Sequence, residues 1–528
     1  MQRKLSNISY ISLFYIFFLI LISFFINQYY AYQGVLPVDS FSTFNAGYDM
    51  LNGSVPFKDY WILKGIVLDI IQAGFFKIFG VSWFSYSIHA STFNSIFALS
   101  TFYTLKKFNL DIKYSFFYSV LASILMYPTY GIPFTDHSTA IFCMLSIYSL
   151  CLAIKSNKYI YWFLIPILMF LAFFTKQAPT GYFGILIIII SSLYLVLNSK
   201  KEIYFFGTLG IVLSISTFLL YVILNEISFD DIIVQYFLYP MSLGETRLEW
   251  LFPIEIQRLV IRHKLIYLAL SVPIFLLFKS IFKNFLSILE KENLIFLLLL
   301  GTLFIFIIHQ LMTINGLYIF FLIPVFAGFS HIYSEKLNKK YFVNFFLILS
   351  FISTIYYHQK YINKRDTLLL RKLDLSQSVD AGILSNKLKN LRWLTHHYPK
   401  NPETEIKNLL NSMEIIKNDN KKKMIVTDYQ FISVVLSTRD NSAARIWWRH
   451  HLYPSGPDQK YFPEWKKFLL RQIVENKIEV IYTVHPLEGE KNIFQNLIDK
   501  KCYSSKKLNE ILVLQTLKKC EELSFFFK

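Results

Sequence analysis

The run "ISYISLFYIFFLILISFFIN" at residues 8–27 matches the roughly 20 apolar residues that a helix needs to cross a bilayer. Comparable runs recur to about residue 358, and a window of that length gives about eleven of them. Inside hydrocarbon a backbone has to satisfy its own hydrogen bonds, so such runs are read as helices. Composition agrees: of 528 residues, 54% are hydrophobic and 18% aromatic, with a mean hydropathy of +0.41. The sequence therefore predicts an α-helical polytopic membrane protein. The first run is longer than a signal-peptide core and no small-residue cleavage site follows it, so it reads as a retained anchor.

A formal net charge of +18 would suggest nucleic acid as the partner of a soluble chain. Here the cations sit largely in short loops between spans and in the tail, where they report topology. With "MQRK" at the N-terminus inside, Lys106/Lys107/Lys113, Lys155/Lys158, Lys200/Lys201, Lys283/Lys291 and Lys336/Lys339/Lys340 all fall on the same side. The expectation is a cytoplasmic N-terminus in the inner (cell) membrane, membrane lipids as surroundings and no nucleic acid. An odd number of spans puts everything after residue 358 on the periplasmic face.

Two regions joined by a link follow from composition: a helical membrane body over 1–358 and, after the link over 359–380, a lysine-rich tail over 381–528 as a small extracytoplasmic α/β domain. In the tail "KKKMIVTD", "NKIEVIYTV" and "NEILVLQTL" have strand character, while "FPEWKKFLLRQIVEN" and "EGEKNIFQNLIDK" have helical spacing. Strands alternating with helices imply α/β architecture. Four cysteines are too few for a disulfide scaffold and form no CxxC pair. Cys502 and Cys520 lie outside the spans and can persist as a disulfide if the tail is periplasmic.

The body has two sizeable outer loops, roughly 28–80 and Glu226 to about Arg262. The first holds "VDSFSTFNAGYDMLNGSVPFKDYWILKG". Phe41, Phe44, Tyr48 and Leu51 recur at helical spacing, with Asp39 or Ser40 placed to cap the start and Asn52-Gly53 to stop it. Val67, Ile70, Ile71, Gly74, Phe75 and Ile78 repeat the period. Amphipathic helices of this kind lie in the membrane interface.

The order of these features resembles the GT-C integral membrane glycosyltransferases, in the branch of protein mannosyltransferases and aminoarabinose transferases. An acid, Asp39, follows the first span; "LNGSVPFKDYW" is similar to the family's "ml.G..p..d" stretch. "YWILKGIVLDIIQAGFFKIFG" is similar to "EKPPLYYW...FG", and "LAFFTKQAPTGYFG" to "lgfltKg". The similarity covers roughly residues 8–200. It departs at Lys64-Gly65-Ile66, where the family has Lys-Pro-Pro, and at Asp39-Ser40, where the family has paired acids. The resemblance implies transfer of a sugar from a polyprenyl-phosphate carrier to a lipid-linked glycan, lipid A or protein acceptor on the outer face, with inversion.

The chemistry is compatible with these residues. Displacement at an anomeric carbon needs a base for the acceptor's proton and something to hold the charge growing on the departing phosphate. Phosphate leaves unprotonated, so cations can replace the acid that a glycosidase requires. Asp39 is the expected base, and the resemblance implies a second catalytic acid from the loop "GIPFTDHSTA", Asp136. Lys64 and Lys176 are expected on the donor phosphate, and His137 and Arg247 as further substrate contacts. No cofactor is assigned: the resemblance leaves a divalent metal open, but Asp136 and His137 have no third ligand in the sequence.

Each residue also has a simpler reading. Asp39 and Asp136 stand where helices begin, as N-cap aspartates do, and Lys64 and Lys176 can snorkel at the interface. Lys176 lies on the outer side, against the positive-inside bias. The tail's "ARIWWRHHLYPSGPDQKYF" suits stacking on sugars or simply its own core. No Asp-x-Asp triplet and no phosphate loop occur, which argues against a nucleotide donor or ATP. The rival class is a carrier-lipid or glycan transporter with a periplasmic binding domain, for which inverted repeats would be expected.

Overall fold

The computed structural model describes residues 10–520 apart from 129, 157, 250, 253–254, 314–317, 366–367, 440, 448–451, 486–496 and 519. "MQRK", Trp448 to His451 of the aromatic tail motif, and most of the helix expected at 488–500 thus lie outside the described residues.

In chain order the helices are α1 (Tyr10–Ala31), α2 (Pro37–Ser40), α3 (Ser42–Leu51), α4 (Val67–Phe79), α5 (Trp83–Lys107), α6 (Ile112–Met126), α7 (Thr135–Ser156), α8 (Tyr159–Phe173), α9 (Gln177–Asn198) and α10 (Lys201–Leu224). There follow α11 (Phe229–Ile232), α12 (Tyr239–Glu249), α13 (Lys264–Ala269), α14 (Ser271–Lys283), α15 (Lys291–Thr313), α16 (Leu322–Lys336) and α17 (Lys340–Lys364). The tail adds α18 (Pro402–Asn418), α19 (Ile432–Leu436) and α20 (Phe462–Glu475), with strands β1 (Val379–Asp380), β2 (Arg392–Trp393), β3 (Lys423–Thr427), β4 (Val480–Val484), β5 (Tyr503–Lys507) and β6 (Leu512–Leu517). Among the described residues, α1, α7, α9, α10, α15 and α17 are long and apolar enough to cross a membrane, and α6 and α8 are shorter apolar helices. The chain is a multi-pass membrane protein. The window count of about eleven exceeds these six because several apolar runs fold as shorter helices, such as α14 with 13 residues and α16 with 15.

By internal contact the chain forms two compact units. One comprises Met1–Ala31, Ala90–Leu219 and Arg247–Thr367; the other comprises Tyr32–His89, Leu220–Thr246 and Leu368–Lys528. Composition divides the chain once, near 358–380, because it detects lipid-compatible sequence. Contact instead groups both long loops with the tail.

The first unit is a helical membrane body. Its α7 is buried over 94% of its apolar window, whereas only 17% of the α10 window is buried. An apolar helix left bare in this way faces lipid. Inside, small and polar side chains join the helices: Asn27 Nδ2 donates to Ser91 Oγ at 3.1 Å and to Gly131 O at 3.0 Å. Gly131 has φ 65°, and a Cβ there would meet Ala31 N at 2.3 Å, so the turn before α7 requires glycine. Gly210 has the same need for a different reason. A Cβ on it would lie 2.4 Å from Phe163 O, so α8 and α10 touch backbone to side.

In the second unit the two loop helices α3 and α4 pack together, and the tail closes on α3: Ser433 Oγ donates to Asn45 Oδ1 at 2.6 Å. Trp61 N donates to Ala443 O at 2.7 Å, and the Trp61 ring joins a core with Trp447, Trp465 and Phe468. The sheet has strand order β3-β4-β6-β5 with β3 and β4 parallel and the remaining pairs antiparallel. β4 is buried at every position, as a central strand covered on both faces should be. β5, at the edge, exposes Lys506 and Lys507, which discourages further pairing. A disulfide joins Cys502 to Cys520.

The strand segments at 421–428, 476–484 and 509–517 hold β3, β4 and β6, and the helical spacing at 462–476 holds α20. α18 and β5 were not anticipated. α17 runs on to Lys364, into the expected link. α4 leaves Ile70 and Ile78 40% and 74% exposed, while Asp69 and Gln72 are fully buried. Polar inside and apolar outside is the pattern of a helix whose outer face meets lipid.

Candidate active site

Two polar clusters, one in each unit, collect the residues marked by sequence. In the membrane body, α7 begins with Thr135 and carries Asp136 in its first turn, where an acid is favoured by the helix dipole. Lys176 precedes α9 in extended conformation at the N-cap position, so its side chain is not committed to a helix face. The two meet: Lys176 Nζ forms an ion pair and hydrogen bond with Asp136 Oδ1, at 18% and 3% side-chain exposure. His309, near the end of α15, places Nε2 3.9 Å from the same oxygen. Arg247 is partly buried, and its charge acts on His309. His137, one residue on, points elsewhere. Its ring stacks on Tyr127 at 5.0 Å and meets Tyr130 and Phe134 edge-on, both at 5.9 Å.

In the second unit Asp39 lies within the short helix α2, partly buried. The capping expectation is corrected here. Leu36 occupies the N-cap of α2 and Phe41 that of α3, and neither helix has a side-chain cap bond. Ser40 Oγ instead accepts from Leu36 N at 3.0 Å, because Pro37 starts the first turn early. Asp39 is thus not the N-cap residue of either helix, and its charge acts on Tyr86.

Lys64 does not snorkel. Its Nζ donates to Thr43 Oγ1 at 3.0 Å and Ser42 Oγ at 3.2 Å, and stands 3.6 Å from Asp69 Oδ1. Asp69 is completely buried, and burial raises its pKa against the pull of the Lys64 and Arg445 charges. Arg445, from the tail, pairs with buried Asp49 at 2.5 Å and lays its guanidinium 3.7 Å from the centre of the Tyr60 ring. Tyr60 is itself buried, which raises its hydroxyl pKa well above the ordinary value. The tail thus supplies a cation to the loop that holds Asp39.

Sequence reading passed over Asp49, Asp69 and His309, and marked Arg445 only as part of the aromatic tail motif. Signals existed for two of them: His309-Gln310 is a polar pair inside an apolar span, which marks function by default, and Asp69 interrupts an apolar helix. Nothing local announces the pairing of Arg445 with Asp49, which only tertiary folding brings about.

No protein-family model and no curated protein matches the sequence. Among solved structures the chain is similar to ArnT from Cupriavidus metallidurans bound to undecaprenyl phosphate, with 10% identity, 95% of this chain and 97% of that one covered, and a TM-score of 0.47. It is also similar to ArnT from the same organism in the apo state, with 9% identity, the same coverage and a TM-score of 0.45.

Proposed function

We propose that this chain is a GT-C-type glycosyltransferase that moves a sugar from a polyprenyl-phosphate carrier to a lipid-linked glycan, lipid A or protein acceptor on the periplasmic face, with inversion. The observation that carries the reading is the buried Lys176–Asp136 pair. Its members come from the two motifs "FFTKQAP" and "FTDHSTA" that the resemblance singles out, 40 residues apart in sequence. Charges buried among apolar helices are costly and are retained where they act on substrate.

In this reading Lys176 and Arg247 hold the carrier phosphate. Two cations against one carboxylate leave a formal +1 there, suited to the negative charge that develops as the bond from anomeric carbon to phosphate oxygen breaks. Asp136 orients Lys176. In the second unit Lys64 is paired with Asp69. Asp39 accepts the acceptor's proton as the new glycosidic bond forms.

Purified protein in lipid nanodiscs, given radiolabelled polyprenyl-phosphate sugars and a panel of acceptors, tests the proposal. Label should move from carrier to acceptor. Movement of intact carrier across the bilayer without any transfer would favour the transporter instead.

A further inference from the structure

The motif around Lys64 leads to the expectation of a contact with the donor phosphate, yet its ammonium is directed into its own unit. Nζ donates to Thr43 Oγ1 at 3.0 Å and to Ser42 Oγ at 3.2 Å, and the Asp69 carboxylate stands 3.6 Å away. The Lys64 side chain is 17% exposed and that of Asp69 is wholly buried. An ammonium has three N–H donors, and two of them go to buried hydroxyls in the first turn of α3. A cation beside the positive end of a helix is unfavourable by itself. Asp69, in the first turn of α4, offsets it, so lysine, α3 and α4 hold one another.

The backbone leading to Lys64 is fixed from two directions. Ile62 N donates to Gln235 Oε1 at 3.1 Å, and Trp61 N donates to Ala443 O at 2.7 Å. Gln235 is fully buried and also donates through Nε2 to Phe57 O at 2.9 Å. α3 and α4 are in close contact too, since a Cβ on Gly47 would lie 2.6 Å from Gln72 Cγ.

What this latch holds is the stretch that carries Asp39. No linker separates α2 from α3: Phe41 is the C-cap of one and the N-cap of the other. Its buried ring packs against Trp83 at 5.1 Å and Phe431 at 4.9 Å. Ser42 follows Asp39 by less than one helical turn, so a shift in the first turn of α3 moves the Asp39 backbone with it.

We infer that Lys64 is a positioning residue for Asp39: by tying Ser42 and Thr43 to Asp69, it fixes the helix junction on which Asp39 is mounted. This rests on the proposed role of Asp39 as base.

Two variants of the full-length protein in nanodiscs test it. Ser42→Ala/Thr43→Val keeps the Lys64 charge and removes its two acceptors. Lys64→Met/Asp69→Asn removes the latch without stranding a buried charge. Thermal unfolding establishes that each is folded. Both should lower kcat by about 10- to 100-fold, the cost of a small misplacement of a reacting group, with the KM for polyprenyl-phosphate sugar nearly unchanged. Both should also speed amide hydrogen exchange over residues 39–46, measured without substrate. A raised donor KM with unchanged kcat in Lys64→Met/Asp69→Asn would make Lys64 a phosphate contact and overturn the inference. Wild-type kcat and exchange in folded Ser42→Ala/Thr43→Val would overturn it as well. Wild-type protein that transfers no sugar overturns the reading of Asp39 instead, and the exchange comparison still decides whether the latch exists.

Discussion

Removing Lys176 while leaving Asp136 in place strands a carboxylate that is only 3% exposed. Breaking a buried pair from one side costs about 3–5 kcal/mol, because the remaining charge is uncompensated. Lys176→Gln should therefore destabilise the membrane body by about that amount. The reverse change is milder. At 18% exposure, Lys176 can swing its ammonium towards water on its flexible stem, so Asp136→Asn should cost less than Lys176→Gln. The double variant leaves no buried charge and should cost less than the sum, with a coupling energy of about 1–3 kcal/mol. The assay is thermal unfolding of all four proteins in one detergent, combined with donor titration in the transfer reaction. Lys176→Gln should weaken donor use far more than acceptor use, and more than Lys64→Gln does, since Lys64 already has Asp69, Ser42 and Thr43 as partners. Additive stabilities within about 0.5 kcal/mol, or unchanged donor kinetics, would refute the reasoning.

Topology is tested by reporter fusions: one after Lys155 should report cytoplasm and one after Asp380 periplasm, and the reverse would place Asp39 in the wrong compartment. Replacing Cys502 and Cys520 by Ser opens a crosslink with a sequence separation of 18 and should cost roughly 3 kcal/mol on the chain-entropy model, read as a lower unfolding temperature. Glu405 is buried and accepts from Tyr429 at 2.8 Å and Trp393 at 2.9 Å, yet burial raises its pKa above 4.5. A raised acid binds its proton more tightly when folded, so its contribution is fully present below pH of about 4.5 and is lost as pH rises through the folded value. Glu405→Gln should flatten stability against pH across that window, and an unchanged profile would contradict the assignment.

The membrane body was legible because length and hydropathy act locally, as the runs that became α1, α9 and α15 show. β3, β4 and β6 were legible for a related reason, each being a short apolar run between polar ones. What escaped depends on distant residues. Composition marks residue 358 as a boundary, yet α3 packs against α19 of the tail, and no local pattern announces that Ser433 will meet Asn45. α4 was found from its period, but periodicity locates an apolar face without announcing that Asp69 and Gln72 on the other face are fully buried. Asp136 and Lys176 were each identified from their motifs. Their pairing was not, because contact across 40 residues is a property of the fold. Asp39 shows the opposite error: a local capping rule was applied where Pro37 starts the helix two residues earlier.

In the proposed function Asp39 is the base of a sugar transfer from polyprenyl phosphate. The most direct measurement compares turnover of wild-type and Asp39→Asn protein in nanodiscs, with labelled donor and a working acceptor, alongside their unfolding temperatures. Asn keeps the shape of the side chain but cannot take a proton, so turnover should fall by roughly 10² or more, with the unfolding temperature nearly unchanged because Asn can still accept a hydrogen bond through its carbonyl oxygen. A folded Asp39→Asn protein that transfers sugar at close to the wild-type rate would contradict the account.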